Sequence, residues 1–470
     1  MSPSRCCTLG LGLWLSLLAP LVLSSTVAKQ KVQPRPGIWQ ANCMSELWVI
    51  DGDRYRRYNI TAISCVARDS GAVATLVGGV FPTVEQWTPQ TAVVSGYGYR
   101  YRLHRLKAMP AACSAEHDPK NPLYNFDVFC RYFADNYVGF ALRKIDVPAM
   151  QARYRARLNP SSSEDSLYAV LGAMVEEIDD PHVFLSNGKH GQEEKSYGSP
   201  NAHGLAAALQ RASPGLTTSE ARAAARRVED SLETAIRSQV LHGQFHLARR
   251  GRLLWGMLTP QVGYLRNSAA YGFFDASMTR EQMYEALDAT LDTVFTDLGQ
   301  ARSLVIDVTM NVGGARFILD SIARRVISRP VVAYRSRMRS PSGWTETFVQ
   351  SLSPIRRPGF SGPVVVLISA NTVSAGETLP LVLRGLPRVT IMGEPTLGAE
   401  GSFVTFGLPN GGEVGVSVEM LTTRDGTWFE SRGIPPDVVA RVFDPTRPVA
   451  GYSDFLLQAA HLAASKIETR

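Results

Sequence analysis

From Gly251 to about Asp444, short apolar runs alternate with amphipathic helical segments, and this alternation limits the fold more than any other feature of the chain. "RLLWGMLT", "VGYLRN", "SLVIDV", "PVVAYRS", "PVVVLIS" and "RVTIMG" are short, largely apolar runs and read as strands. Between them, Thr279–Leu298 puts Met283, Leu287, Leu291, Val294 and Leu298 on one helical face, and "GARFILDSIARRVI" repeats the pattern. "VTFGLPNGGEVGVSVEML" reads as a hairpin with an Asn-Gly turn. Strands alternating with helices bury their apolar faces by layering, so residues 251–445 are predicted to form a sheet covered by helices.

The chain has 470 residues, room for more than one such unit. Residues 29–115 read as a β-rich domain of short strands, "ELWVIDGD", "RRYNITAISCVA", "AVATLVGGVF" and "GYGYRYRLHRL", punctuated by Gly, Asp and Pro. The texture changes at "SAEHDPKNP", and residues 116–250 read as a helical domain with a linker. In it "YNFDVFCRYFADNY", "PAMQARYRARL" and "EDSLYAVLGAMVEEI" have helical spacing, Gly188–Gly215 is small and polar, and "TTSEARAAARRVEDSLETAIRSQVL" is a long polar helix. Residues 446–470 read as a C-terminal helix. The class is therefore α+β, multidomain.

Residues 1–28 read as a secretory signal peptide: one Arg, the apolar run "TLGLGLWLSLLAPLVL", then small residues up to Ala28. No second apolar stretch of about 18 residues follows to form a stable membrane span. The expected location is the periplasm or the extracellular space. Beyond that segment stand four cysteines, Cys43, Cys65, Cys113 and Cys130. An even number in an exported chain predicts two disulfides, with three pairings open. There is no CxxC pair, and His242 and His246, four apart, have no third ligand beside them and read as a solvated helix face, so neither metal nor cofactor is expected. The net charge of +7 is scattered, without an aromatic-interleaved basic stripe, which argues against a nucleic-acid partner. Oligomeric state cannot be read.

"PVVVLIS" leads into "ANTVSAGETLP". Ser374 and Glu377 have the spacing of a capping box. A strand, a turn of small residues and a helix are also how a nucleophile is presented. Upstream, "NVGG" at Asn311–Gly314 closes a strand and opens a helix, where free amides gather and glycine permits close approach.

In order along the chain, "GYLRN", an amphipathic helix, "LVIDVTMNVGG", "PVVVLISANTVSAGE", "IMGEPTLGAEGS" and "GTWFESRGIPPDVV" resemble the tail-specific (C-terminal processing) serine proteases. The resemblance covers roughly Pro122–Asp444. It implies a crotonase-like core of ββα turns with Ser374 as nucleophile, and Gly313 or Gly314 with the Ala375 amide as oxyanion hole. It implies a lysine in a "TFGKG" block, but that block reads "TLGAEG", the matching residue is Ala399, and no lysine lies between Lys195 and Lys466. A Ser–Lys dyad inside this core is thereby excluded. A second branch, similar to the tricorn core, uses Ser, His and Glu; "EEIDDPHVFLS" puts His182, and "ESRGIPPD" puts Glu430, at its positions. Pro181 departs from the Ser that often precedes that His, and Asp437 reads as a turn residue.

The chemistry is coherent. A serine hydroxyl needs a neighbouring base, neutral imidazole serves near pH 7, and a carboxylate on the other ring nitrogen fixes the tautomer. The expectation is an exported serine peptidase acting on peptide or protein substrates through an acyl-enzyme on Ser374. The alternative is a catalytically inactive ligand-binding protein on the same scaffold. Many relatives carry a PDZ domain; Asn187–Arg250 has no run of β-patterned strands, so none is expected here.

Overall fold

The computed structural model describes Val32 and residues 34–78, 83–96, 99–188, 195–199, 204–275, 277–355 and 357–468. The apolar segment at residues 1–28 lies outside the described residues.

Seven antiparallel strands between Gly37 and Leu106 make the first sheet. The strand Gly37–Ala41 is central, hydrogen-bonded to Glu46–Asp51 on one side and to Tyr99–Leu106 on the other. Trp39 and Trp48 are fully buried. They share one apolar cluster with Phe129 and Phe133 of the helix Pro122–Asn136, with Leu171 of the helix Glu164–Ile178, and with Phe406 and Val416 of the hairpin Phe403–Gly407/Glu413–Ser417. The β-rich and helical segments therefore pack into one core with part of the C-terminal half.

The second seven-stranded sheet runs, in space, Phe245–Ala248, Leu253–Thr259, Val262–Asn267, Ser303–Asp307, Val364–Ile368, Val389–Gly393 and Val438–Val439. From Val262 onward every pairing is parallel. Both faces of its middle strands are covered, which is why "VVVLI" is apolar throughout rather than alternating. Val364, Val366 and Ile368 pack with the helices Arg280–Asp297, Arg316–Val326 and Ala375–Leu383. Val365 and Leu367 pack with the helices Thr218–Ala235 and Pro448–Glu468. The layered sheet read from the sequence is the one observed, a mixed α/β arrangement with several sheets.

Four local expectations need correction. Ala74–Gly78, within "AVATLVGGVF", is a short helix rather than strand. The supposed linker contains the helix Gly204–Ala212, which buries Leu205 and Ala206; its small residues hide a helix that needs only a narrow contact face. His242 is in a turn and His246 on a strand, stacked on Trp255 with ring centres 5.2 Å apart, so they share no helix face. Of the four cysteines only Cys65 and Cys113 are joined; Cys43 and Cys130 are buried thiols. Burial raises both thiols, that of Cys130 to about 12, so neither carries thiolate reactivity at neutral pH.

Candidate active site

Ser374 follows the parallel strand Val364–Ile368 and precedes the helix Ala375–Leu383. The loop is pinned to the neighbouring strand end: Ser369 Oγ donates to the Thr309 carbonyl (2.5 Å), Thr372 Oγ1 to the Val308 carbonyl (2.8 Å), and Val373 N–H to the Asn311 carbonyl (2.9 Å). Ser374 has φ 57° and ψ −126°, a region that disfavours any residue with a Cβ. Elsewhere in the chain, capping residues such as Ser163, Thr217 and Thr279 are extended, and their hydroxyls accept first-turn amides. Ser374 and Glu377 do face each other as a capping box. The side-chain bond formed, however, runs from Ser374 N–H to Glu377 Oε2 (3.1 Å), and the Glu377 N–H goes to the Ser374 carbonyl (2.9 Å). The hydroxyl is left half-buried on the wall of a cleft of about 590 Å³.

The "NVGG" turn lies against this corner. A Cβ on Gly313 would sit 2.7 Å from the Ser374 Cβ, and one on Gly314 only 2.2 Å from the Ala270 carbonyl carbon, so both positions require glycine. Asn311 organises the turn: its Oδ1 accepts Gly313 N–H (2.9 Å) and its Nδ2 donates to Asn267 Oδ1 (2.6 Å). That bond commits the Gly313 amide. Gly314 N–H donates to no group among the described residues, and Ala375 N–H, at the first helical position, has no intrahelical acceptor. Of the three oxyanion candidates, Gly314 and Ala375 keep free donors and Gly313 supplies the close approach.

His182 follows the helix Glu164–Ile178 and is 7% exposed. Asp180 holds its loop, accepting His182 N–H (2.9 Å) and the Ser417 hydroxyl (3.1 Å) on Oδ1 and the Tyr137 hydroxyl (2.9 Å) on Oδ2. The imidazole packs on Phe403, ring centres 5.2 Å apart, and its Nδ1 has no hydrogen-bond partner. Burial lowers its pKa below the ordinary histidine value, Asp180 opposes this, and the Arg316 guanidinium adds to it, so the ring is neutral at pH 7. Phe403 also lines the Ser374 cleft, whereas His182 does not.

Glu430 is buried in the loop after the strand Glu419–Thr422; its Oε2 accepts the amides of Glu400 (3.1 Å) and Gly401 (3.3 Å), and its Oε1 has no partner. No hydrogen bond joins Ser374 to His182 or His182 to Glu430. Burial, with Asp180 and Glu377 nearby, holds the Glu430 carboxyl well above the usual range.

Sequence reasoning overlooked most of what surrounds these residues. Glu377 is fully buried and holds three amides, those of Ser374, Gly398 (2.8 Å) and Ala399 (2.8 Å), fastening the "TLGAEG" loop beneath the nucleophile corner; burial still pushes it up to about 7. Ala399, where a lysine would stand in the dyad branch, is fully buried. Glu400 has both carboxyl oxygens buried and unpartnered, and burial beside Glu377 and Glu430 raises it far above 4.5. Arg316 forms a buried two-point pair with Glu419 (3.2 and 2.8 Å) beside the cleft. Glu377 and Ala399 were singled out in the sequence by position alone, and the Asp two residues before His182 could have been noticed as an Asx-turn acceptor. Asp437 accepts the Ile391 amide (2.9 Å).

Residues 261–440 match the model of peptidase family S41, and residues 118–176 match that of the tricorn protease C1 domain. Among particular relatives it is 29% identical over 149 residues to a carboxyl-terminal-processing protease of Picosynechococcus sp., covering 32% of this chain and 33% of that protein. It is 27% identical over 188 residues to a chloroplastic C-terminal processing peptidase of Tetradesmus obliquus, covering 39% and 36%. The matched stretches thus span about a third of these relatives. In fold it is similar to a putative peptidase from Parabacteroides merdae, with TM-score 0.57, 23% identity, and coverage of 73% of this chain and 96% of that one. It is also similar to mature CPAF complexed with lactacystin, with TM-score 0.53, 14% identity, and coverage of 75% and 99%.

Proposed function

We propose that this protein is an exported serine peptidase that cleaves peptides or unfolded protein segments through an acyl-enzyme on Ser374. The observation that carries the reading is the Ser374 corner, where a strained serine faces a cleft beside the uncommitted amides of Gly314 and Ala375. Backbone strain held by surrounding structure is a mark of functional positions. In the proposed reaction Ser374 Oγ bonds to the peptide carbonyl carbon while its proton passes to His182. The two amides receive the developing oxyanion, a contribution of about 10²–10³ in rate for each such donor. The C–N bond then breaks, the amine leaves with the proton from His182, and water repeats the steps in reverse to free the acid.

His182 and Glu430 are read as base and orienting carboxylate because each is buried with one unpartnered polar atom, Nδ1 and Oε1. Such atoms are costly to leave unpaired, and pairing them on substrate binding recovers that cost. The imidazole would have to pass Phe403 to reach the cleft. The strand–helix repeats between Leu253 and Gly393 fit a crotonase-like core, and the domain division read from the sequence remains our proposal. Export is supported by the Cys65–Cys113 disulfide, which belongs to an oxidising compartment, together with the apolar N-terminal segment.

The test is labelling with a fluorophosphonate probe over pH 5–9. Labelling that disappears in Ser374→Ala supports the peptidase; absence of labelling in the wild-type chain refutes it and leaves a binding function.

A further inference from the structure

We propose that the cleft beside Ser374 is a subsite for one large, uncharged, aromatic side chain of the substrate, and that the N-terminal sheet forms part of its wall through Tyr99. This inference rests on the peptidase reading above and adds the substrate class.

The cleft volume of about 590 Å³ lies within the range of sites that enclose small ligands. Its inner wall is aromatic. Phe273 and Phe274 come from the loop after the strand Val262–Asn267, and Phe317 stacks on Phe274 with centres 6.0 Å apart and planes 15° apart. Met283 completes that side; the helical pattern assigns it to the core face, yet it is half-exposed on the cleft. Tyr99 comes from the other side, on the strand Tyr99–Leu106, and brings the β-rich segment to the nucleophile. Aromatic walls favour an aromatic guest through edge-to-face contact as well as burial, and methionine adapts to the gap.

The charges on the wall are already matched. Arg316 is held at two points by Glu419, and Arg68 Nη1 lies 3.2 Å from Glu46 Oε1. Asp275 is on the exposed rim, where its Oδ1 accepts the amide (3.1 Å) and hydroxyl (2.8 Å) of Ser277. A charged substrate side chain entering the interior would lose its hydration without gaining a free counter-ion, which disfavours it.

The experiment uses the full chain and four diphenyl phosphonates whose group beside phosphorus is benzyl, methyl, carboxyethyl or aminobutyl. In each, Ser374 Oγ bonds to phosphorus, one P–OPh bond breaks, and the serine proton leaves with phenol. The benzyl probe is expected to label at least tenfold faster than the other three. Tyr99→Ala should lower the benzyl-to-methyl ratio at least threefold, and Met283→Glu should raise the aminobutyl-to-benzyl ratio at least tenfold. Ser374-dependent labelling at equal rates by all four probes overturns the subsite and leaves the nucleophile in place. Unchanged ratios in both variants overturn the assignment of these walls. No labelling by any phosphonate or by the fluorophosphonate removes the subsite together with the peptidase reading.

Discussion

Replacing Glu400 by Gln tests the most unusual electrostatic feature of the protein. Both Glu400 oxygens are buried without a hydrogen-bond partner, and Glu377 and Glu430 stand close by. Burial raises all three carboxyls, Glu377 from 4.5 to about 7. For a carboxyl raised in the folded state, the folded protein holds its proton more tightly than the unfolded chain. The associated stability is complete below pH 4.5 and drains away as pH climbs through the folded value. At about 1.4 kcal/mol per unit, the shift of Glu377 alone corresponds to ~3 kcal/mol lost between pH 4.5 and 8. Glu400→Gln has the same shape and does not titrate. Its buried amide costs about 1–3 kcal/mol if unpaired, but by the same amount at every pH. The variant should therefore match or trail the wild type at pH 4.5 and gain on it by up to about 1.4 kcal/mol for each pH unit above that, until the folded value is passed. Urea unfolding followed by tryptophan fluorescence at pH 4.5, 6 and 8 measures the difference. A constant difference across the three pH values would mean that Glu400 is not a buried, perturbed acid, and would refute the reasoning.

Other outcomes follow from the same geometry. His182→Ala should slow fluorophosphonate labelling by about 10²–10⁴-fold. Because burial depresses the imidazole, the acid limb of the wild-type labelling profile should fall below pH 6.5, whereas a limb above 6.5 would contradict the buried, neutral ring. Gly313→Ala forces a Cβ to within 2.7 Å of the Ser374 Cβ at φ 94° and should abolish labelling while circular dichroism stays that of the wild type. Reducing the Cys65–Cys113 bond, which closes a span of 48 residues, should cost about 4 kcal/mol of stability if chain entropy dominates. Replacing Cys43 or Cys130 by Ser should leave the non-reducing gel mobility unchanged, since neither is bonded.

Much of the architecture was legible because its causes are local. Period-two and fully apolar runs gave the strands from Leu253 to Gly393, and the 3.6-residue period gave the helices Arg280–Asp297 and Pro122–Asn136. The Ser374 corner was legible as two alternatives, a helix cap and a nucleophile turn; its φ of 57° is unlike that of the chain's other caps and supports the nucleophile reading proposed above. Ala74–Gly78 and Gly204–Ala212 were misread because small residues serve strand, helix and linker alike, and their burial comes from distant partners.

What the sequence by itself determined is the inventory and the local geometry: glycines where Gly313 and Gly314 admit no Cβ, a serine between strand and helix, and no lysine in the core to serve as base. Tertiary structure alone decided the rest. It put His182 behind Phe403, brought Tyr99 of the first sheet to the cleft, left Cys43 and Cys130 unpaired, and gathered Glu377, Glu400 and Glu430 into one buried cluster. The physical reason is that backbone preference is set by near neighbours in the chain, whereas desolvation and charge proximity depend on groups that only folding brings together.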